Sequence, residues 1–495
     1  MSNKQQRNQI LRRDQQSELS AALLTDLYQL TMARGHWKAG RTAAEGTFLL
    51  AFRRAPFDGT WALASGVAGA LEALDGLRFT PADIDALAAL PGPDGGALFE
   101  AGFLQMLRDM EGFDLAVDAV ADGTVVLPGV PMVRVTGPLW QAQLVETLLL
   151  NMIGFETLIA TKAARIVRAA AGAAVLEFGA RRAQGFGASI SAARAAWVGG
   201  VAGTSNVLAA AQLGIPVKGT HAHAWVQSFA GDGPAFDTER AAFDAFADSM
   251  PAGCVLLVDT YSTERGIENA IEVARSLRAR GHSLSGIRLD SGDLVALSRH
   301  ARRAFADAGF PEVRIVASDD LDEHRITELR AQGAEIDVYG VGTRLVTGGD
   351  QAALGVVYKL SAVREAADEA WRPVMKLSSN PAKRSIPGPG HVERHTQDGQ
   401  LIGDAMALGP DDPSALGGAS APLLLPALRG GRLLPEFPLG LDQARQRAKI
   451  ELAGLPESAH SLVNPTAPTV ELSEPLIALR ERLVERAGLQ GAGPA

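Results

Sequence analysis

The stretch Gly219-Thr220-His221-Ala222-His223-Ala224-Trp225 places two imidazoles and a hydroxyl within four positions. Imidazole changes charge near neutral pH, so a histidine here can serve as a base or a nucleophile; it can equally be a packed core residue. Just upstream, Gly214-Ile215-Pro216-Val217-Lys218 reads as a helix stop followed by a short strand. Both rings then sit where a strand opens into a loop, the end that carries the chemistry in barrels of alternating strands and helices.

The other strand ends are as selective. Short apolar runs at 174–177, 215–217, 255–259, 286–290, 313–318 and 336–340 recur at the spacing of a strand-helix unit. Behind the first run come Glu177 and Arg181-Arg182, and behind the second Thr220 and His223. The third leads to Asp259-Thr260, the fourth carries Arg288, Asp290 and Asp293, the fifth Ser318-Asp319, and the sixth Gly340-Val341-Gly342-Thr343. Carboxylates, arginines, hydroxyls and glycine amides at one rim are what a phosphorylated, magnesium-bound substrate requires. Plainer readings exist: Asp290-Ser291-Gly292-Asp293 suits a helix cap, Asp319-Asp320 with Glu323 suits a capping box, and a short glycine pair is not specific for phosphate alone.

The elements that must position these residues are legible in outline. Ile267, Ala270, Ile271, Ala274 and Leu277 form one helical face, and Leu294, Leu297, Ala301 and Phe305 another. Strands alternating with such helices predict a parallel sheet, closed into a barrel or doubly wound; with six clear strands, a barrel is irregular. Ahead of it, a helix beginning near 23–32 with Thr25 as its cap, a strand at 45–52 ending in Arg53-Arg54, and short strands within 115–135 make a mixed α/β domain. Residues 141–170 read as a long helical segment interrupted at Gly154. Past 346 the chain is rich in turns, with short strands within 409–440 and helices at 443–451 and 476–486. The expected domains are a disordered tail at 1–18, an N-terminal α/β domain at 19–155, a barrel at 156–347, a C-terminal region at 348–486 completing the first domain, and a tail at 487–495.

Composition narrows the function classes. Of 495 residues, 47% are hydrophobic and 21% charged, which fits a soluble globular protein. Cys254 is the only cysteine, which excludes an intrachain disulfide and suits a reducing, cytoplasmic location. No run approaches the ~18 apolar residues of a membrane span, and the net charge of −9 argues against a nucleic-acid partner. It does not argue against a small anionic substrate: an arginine ~4 Å from a phosphate contributes roughly 4 kcal/mol at an effective dielectric of ~20, while distant charges are screened.

Six stretches carry a resemblance to a known family: Thr25-Asp26-Leu27-Tyr28-Gln29, the run from Glu177 through Gln184-Gly185, Gly203-Thr204-Ser205-Asn206, Gly219-Thr220 with Ala222-His223, Leu289-Asp290-Ser291-Gly292-Asp293, and Lys376-Leu377-Ser378. In order, from about residue 24 to 479, they resemble nicotinate phosphoribosyltransferase. The resemblance implies an irregular α/β barrel packed on a second α/β domain, usually in a homodimer. It implies transfer of phosphoribosyl from phosphoribosyl pyrophosphate to nicotinate, releasing pyrophosphate, with Mg²⁺ and with ATP hydrolysis coupled through a phosphohistidine. Carried over by position, His223 is the phosphorylated residue, Tyr28 and Thr220 line the nicotinate pocket, Arg288 faces the nicotinate carboxylate, and Thr343, beside Gly342, contacts the phosphoribosyl donor. Arg181 is a further substrate-binding candidate. Asp290, and after it Asp259 and Asp319, are candidates to hold the metal or the ribose hydroxyls.

The chain departs from the family pattern in three places. Phe186-Gly187 stand where Pro-Asp is common, His221 is not a family requirement, and 465–470 lack the usual aromatic pattern. Two alternatives remain at this stage: a related transferase acting on nicotinamide or quinolinate, and a non-catalytic homologue that binds the metabolite.

Overall fold

The structure, a computed structural model, describes residues 19–231, 234–378 and 384–487. The expected tails, 1–18 and all of 487–495 but its first residue, lie outside them. The chain divides into two compact units: residues 1–158 with 353–495, and residues 159–352.

The unit 159–352 is built on six parallel strands: β1 (Ala174–Glu177), β2 (Gly203–Thr204), β3 (Val255–Leu257), β4 (Gly286–Leu289), β5 (Arg314–Ala317) and β6 (Val338–Val341). Their order is β2-β1-β6-β5-β4-β3. The expected α/β class holds, but as an open half-barrel, since no backbone ladder joins β2 to β3. The strand expected at 215–217 shrinks to a single parallel bridge between Val217 and Thr204, because Pro216 has no N–H to give to a ladder. Gly203–Thr204, expected only as part of a motif, is a strand. Helices between strands bury the anticipated faces: Ile267, Ala270, Ala274 and Leu277 on helix Thr263–Ala279, and Leu294, Ala301 and Phe305 on helix Leu294–Asp307. Val273 joins the first face in place of Ile271, and Ser298 the second, where Leu297 is only half-buried.

In the other unit an antiparallel seven-stranded sheet interleaves distant parts of the chain. Its strand Glu45–Phe52 lies between Val356–Arg364 and the central strand Val133–Pro138. A four-stranded sheet is formed by Ala419–Pro422, His391–Gln397, Gln400–Ala407 and Thr469–Leu472. Two local expectations fail here. Thr25 does not cap the first helix: the helix is Leu27–Lys38 with Asp26 at its N-cap position, while the Thr25 hydroxyl donates to Leu144 O at 3.1 Å. The long helical segment breaks at Val145, and helix Glu146–Ala169 runs through Gly154. Glycine is tolerated there because Val356 leaves no room: a Cβ would come 2.9 Å from its Cγ2.

Candidate functional site

Register brings the C-terminal ends of the six strands to one edge. Glu177 is level with Val341 and Thr204, Ala317 with Leu289 and Tyr339, and Leu257 with Arg288. At that edge Arg288, Asp290 and Ser318 form a closed set. Arg288 Nε donates to Ser318 Oγ at 2.8 Å and Nη2 to Asp290 Oδ1 at 2.5 Å, and the Ser318 hydroxyl also donates to Asp290 Oδ1. Burial opposes ionisation of Asp290, but the Ser318 hydrogen bond and the Arg288 charge outweigh it, so the carboxyl lies below its usual range. Asp259 ties in the neighbouring loop: its Oδ2 accepts from Asp290 N–H at 2.9 Å and from the Ser291 hydroxyl at 2.8 Å. Asp259 Oδ1 is buried without a hydrogen-bond partner.

His223 stands over this set. Its Nδ1 is 3.1 Å from Thr260 Oγ1, and its Nε2 is 3.8 Å from Asp290 Oδ2, too long for a direct hydrogen bond. Its side chain keeps 41% of its surface exposed, enough for a substrate to reach. His221 is the opposite case. It is buried, its Nε2 accepts from Leu257 N–H at 3.1 Å, and its ring meets Phe246 edge-on at 4.8 Å. Burial above all, then the Arg288 and His223 charges, hold its pKa down to about 4 despite the Ala222 carbonyl, so the ring is neutral.

The other candidates divide. Thr220 uses its hydroxyl proton on Val255 O. Gly342 precedes the one-turn helix Thr343–Val346, with Thr343 exposed at its start. Arg181 is exposed on the turn Ala180–Arg182, and the loop before it is anchored by Glu177, which accepts from Gly179 N–H and the Thr204 hydroxyl. Burial raises the Glu177 pKa against those two bonds. Asp319 adopts φ 117°, and burial followed by the Asp290 and Asp320 charges raises its pKa. The cap of the following helix is Asp322, whose carboxylate accepts from His324 and Arg325 N–H, rather than Asp319 or Asp320. Asp293 does cap helix Leu294–Asp307. No set of three or more His, Cys, Asp or Glu side chains placed to hold a metal occurs among the described residues, so Asp259, Asp290 and Asp319 do not form a protein cage for an ion. Tyr28 belongs to the other unit, exposed on helix Leu27–Lys38.

Family models match in two blocks: the nicotinate phosphoribosyltransferase N-terminal domain over residues 23–154, and the nicotinate phosphoribosyltransferase family over residues 173–399. A relative from Bacillus subtilis named nicotinate phosphoribosyltransferase is 45% identical over 376 residues, 76% of this chain and 73% of its own. The chain belongs to the nicotinate phosphoribosyltransferase family. A human relative of the same name is 36% identical, over 94% of this chain and 98% of its own. A crystal structure of human nicotinic acid phosphoribosyltransferase superposes with a TM-score of 0.78 at 33% identity, covering 93% of this chain and all of that one.

Two features of this nicotinate phosphoribosyltransferase chain escaped the sequence reading. Phe178, singled out only as part of a motif, lies with its ring centroid 5.8 Å from Arg288 Cζ. It packs on Gly340, where a Cβ would fall 2.7 Å from two of its ring carbons; Gly340 beside an aromatic-bearing loop was the available signal. The other is a cavity of about 330 Å³ in the unit 1–158 with 353–495. Arg53, Lys359, Arg384 and Arg480 line it, with no carboxylate among its lining residues. Burial and the Arg384 charge push the Arg480 guanidinium below its usual range. Lys359 comes from a strand and Arg480 from helix Glu474–Arg486, so spacing along the chain gave no sign of their meeting.

Proposed function

We propose that this chain joins nicotinate to 5-phosphoribosyl 1-pyrophosphate, giving nicotinate mononucleotide and pyrophosphate, and couples the transfer to ATP hydrolysis through phosphorylation of His223. The observation that carries the reading is the Arg288–Asp290–Ser318 set with the half-exposed His223 ring above it. Arg288 commits Nε and Nη2 to protein oxygens, which fixes the guanidinium plane and leaves Nη1 and the second Nη2 proton for a substrate carboxylate. A planar pyridine held by that carboxylate meets the Phe178 face. The substrate's own ring nitrogen is the nucleophile, so the protein supplies orientation rather than an attacking group.

A Mg²⁺ ion would be shared with substrate here: Asp290 and Asp259, whose Oδ1 is buried without a hydrogen-bond partner, are the carboxylates that would hold it together with the donor phosphates. When bound, it disperses charge on the departing pyrophosphate. Phosphorylation of His223 adds ~1.5–2 negative charges beside Asp290 and shifts relative affinities for substrates and products, which is how ATP drives the transfer.

A cytoplasmic location is supported by the single cysteine, Cys254, which is buried and unable to form an intrachain disulfide. No helix among the described residues is long and apolar enough to cross a membrane. A homodimer is supported by the exposed apolar side chains Leu24, Leu27, Tyr28 and Met32 at and on the first helix. Sedimentation at twice the 51.9 kDa chain mass is expected, and a single-chain mass at micromolar concentration contradicts it.

Initial rates on nicotinate, nicotinamide and quinolinate test the substrate reading. Nicotinate is the preferred acceptor, and Arg288→Lys, which loses the fork, costs roughly tenfold to a hundredfold in kcat/KM for nicotinate with little change for nicotinamide. Preference for quinolinate, or an unchanged nicotinate rate in the variant, refutes it.

A further inference from the structure

β3 is an edge strand. It bonds to the β4 side through Cys254 O, which accepts from Ser285 N–H, and Val258 N–H, which donates to Arg288 O. Alternation then turns Val255 C=O and Leu257 N–H to the open side. A parallel neighbour would meet both with one residue, its N–H donated to the first and its C=O accepting from the second. Two side chains do this instead. The Thr220 hydroxyl donates to Val255 O, and His221 Nε2 accepts from Leu257 N–H at 3.1 Å.

The same segment pairs by backbone at the far edge of the sheet, where Thr204 N–H donates to Pro216 O and Lys218 N–H to Thr204 O. Residues 216–221 thus link the open edge of β2 to the open edge of β3, by main chain at one and by side chains at the other. For Nε2 to accept, the His221 proton must sit on Nδ1, which faces Ala222 O at 3.4 Å. The edge-on Phe246 ring fixes the imidazole plane. Two residues on, His223 opens the short helix His223–Gln227 and reaches Thr260.

We infer that His221 is a positioning residue: its imidazole stands in for a missing strand carbonyl at the open edge of the sheet and thereby fixes the His223 ring beside Thr260 and Asp290. The inference rests on the reading of His223 as the phosphoryl acceptor.

The test compares wild type, His221→Phe and His221→Gln by hydrogen exchange at the Leu257 amide and by steady-state kinetics. Phenylalanine keeps a ring against Phe246 without the acceptor, and glutamine returns an acceptor at the ε position. In the phenylalanine variant, Leu257 exchange speeds up roughly tenfold and kcat falls by a similar factor, while the KM for nicotinate stays within about twofold; glutamine restores both. Unchanged exchange, unchanged kcat, or a loss that glutamine does not restore overturns the inference. Failure of the phosphohistidine reading shows separately, as wild-type protein that carries no acid-labile phosphate; the three proteins are then compared on transfer without ATP, with the same outcomes decisive.

Discussion

His221 and His223 differ by two positions and by everything that decides what an imidazole does. One is 8% exposed and spends Nε2 on a backbone amide; the other is half-exposed and faces a hydroxyl and a carboxylate. The buried ring has a consequence for pH. Its folded pKa, about 4, lies below the unfolded ~6.5, held there by burial and by the Arg288 and His223 charges. Between those values the unfolded chain binds more protons, so the stability contributed by neutral His221 is complete above pH ~6.5 and is lost as pH falls to ~4, roughly 3 kcal/mol over that window. Chemical denaturation at pH 7 and pH 4.5 checks this: wild type loses more stability than His221→Gln, and equal losses contradict it.

At the scale of elements, helix Glu146–Ala169 and helix Glu323–Ala331 are joined within the unit 159–352 by a buried triad. Glu323 sits 2.6 Å from Lys162 Nζ and 3.0 Å from Arg165 Nε, with side-chain exposures of 0%, 6% and 6%. Glu323→Ala leaves two buried cations without their shared carboxylate and costs about 3–5 kcal/mol. A denaturant midpoint giving less than about 1 kcal/mol of loss contradicts that role. How legible such elements were follows from their physics. Strand Glu45–Phe52 and β4 were readable because apolar side chains run between turn signals. β2 was not, being two residues long and specified only by its neighbours. That Gly154 lies inside a helix instead of breaking it is a matter of packing: Val356, 202 positions downstream, leaves no room for a Cβ there, and no local pattern reports it. The rim residues were legible because strand ends in a parallel sheet converge wherever the strands lie. The basic cavity was not, because tertiary packing assembles it from segments more than 400 residues apart.

Over the whole molecule, a net charge of −9 coexists with local cationic groups: the Arg288 fork in one unit and the four-cation cavity in the other. Family membership, the open parallel sheet and the rim agree on a phosphoribosyl-transferring enzyme, and the proposed coupling to ATP turns on a single ring. Labelling with ATP carrying a marked γ-phosphate tests this most directly. The account predicts label on His223, lost in acid and kept in alkali, absent from a folded His223→Ala protein that also loses ATP-stimulated turnover. Label retained on another residue, or full ATP stimulation in His223→Ala, contradicts it.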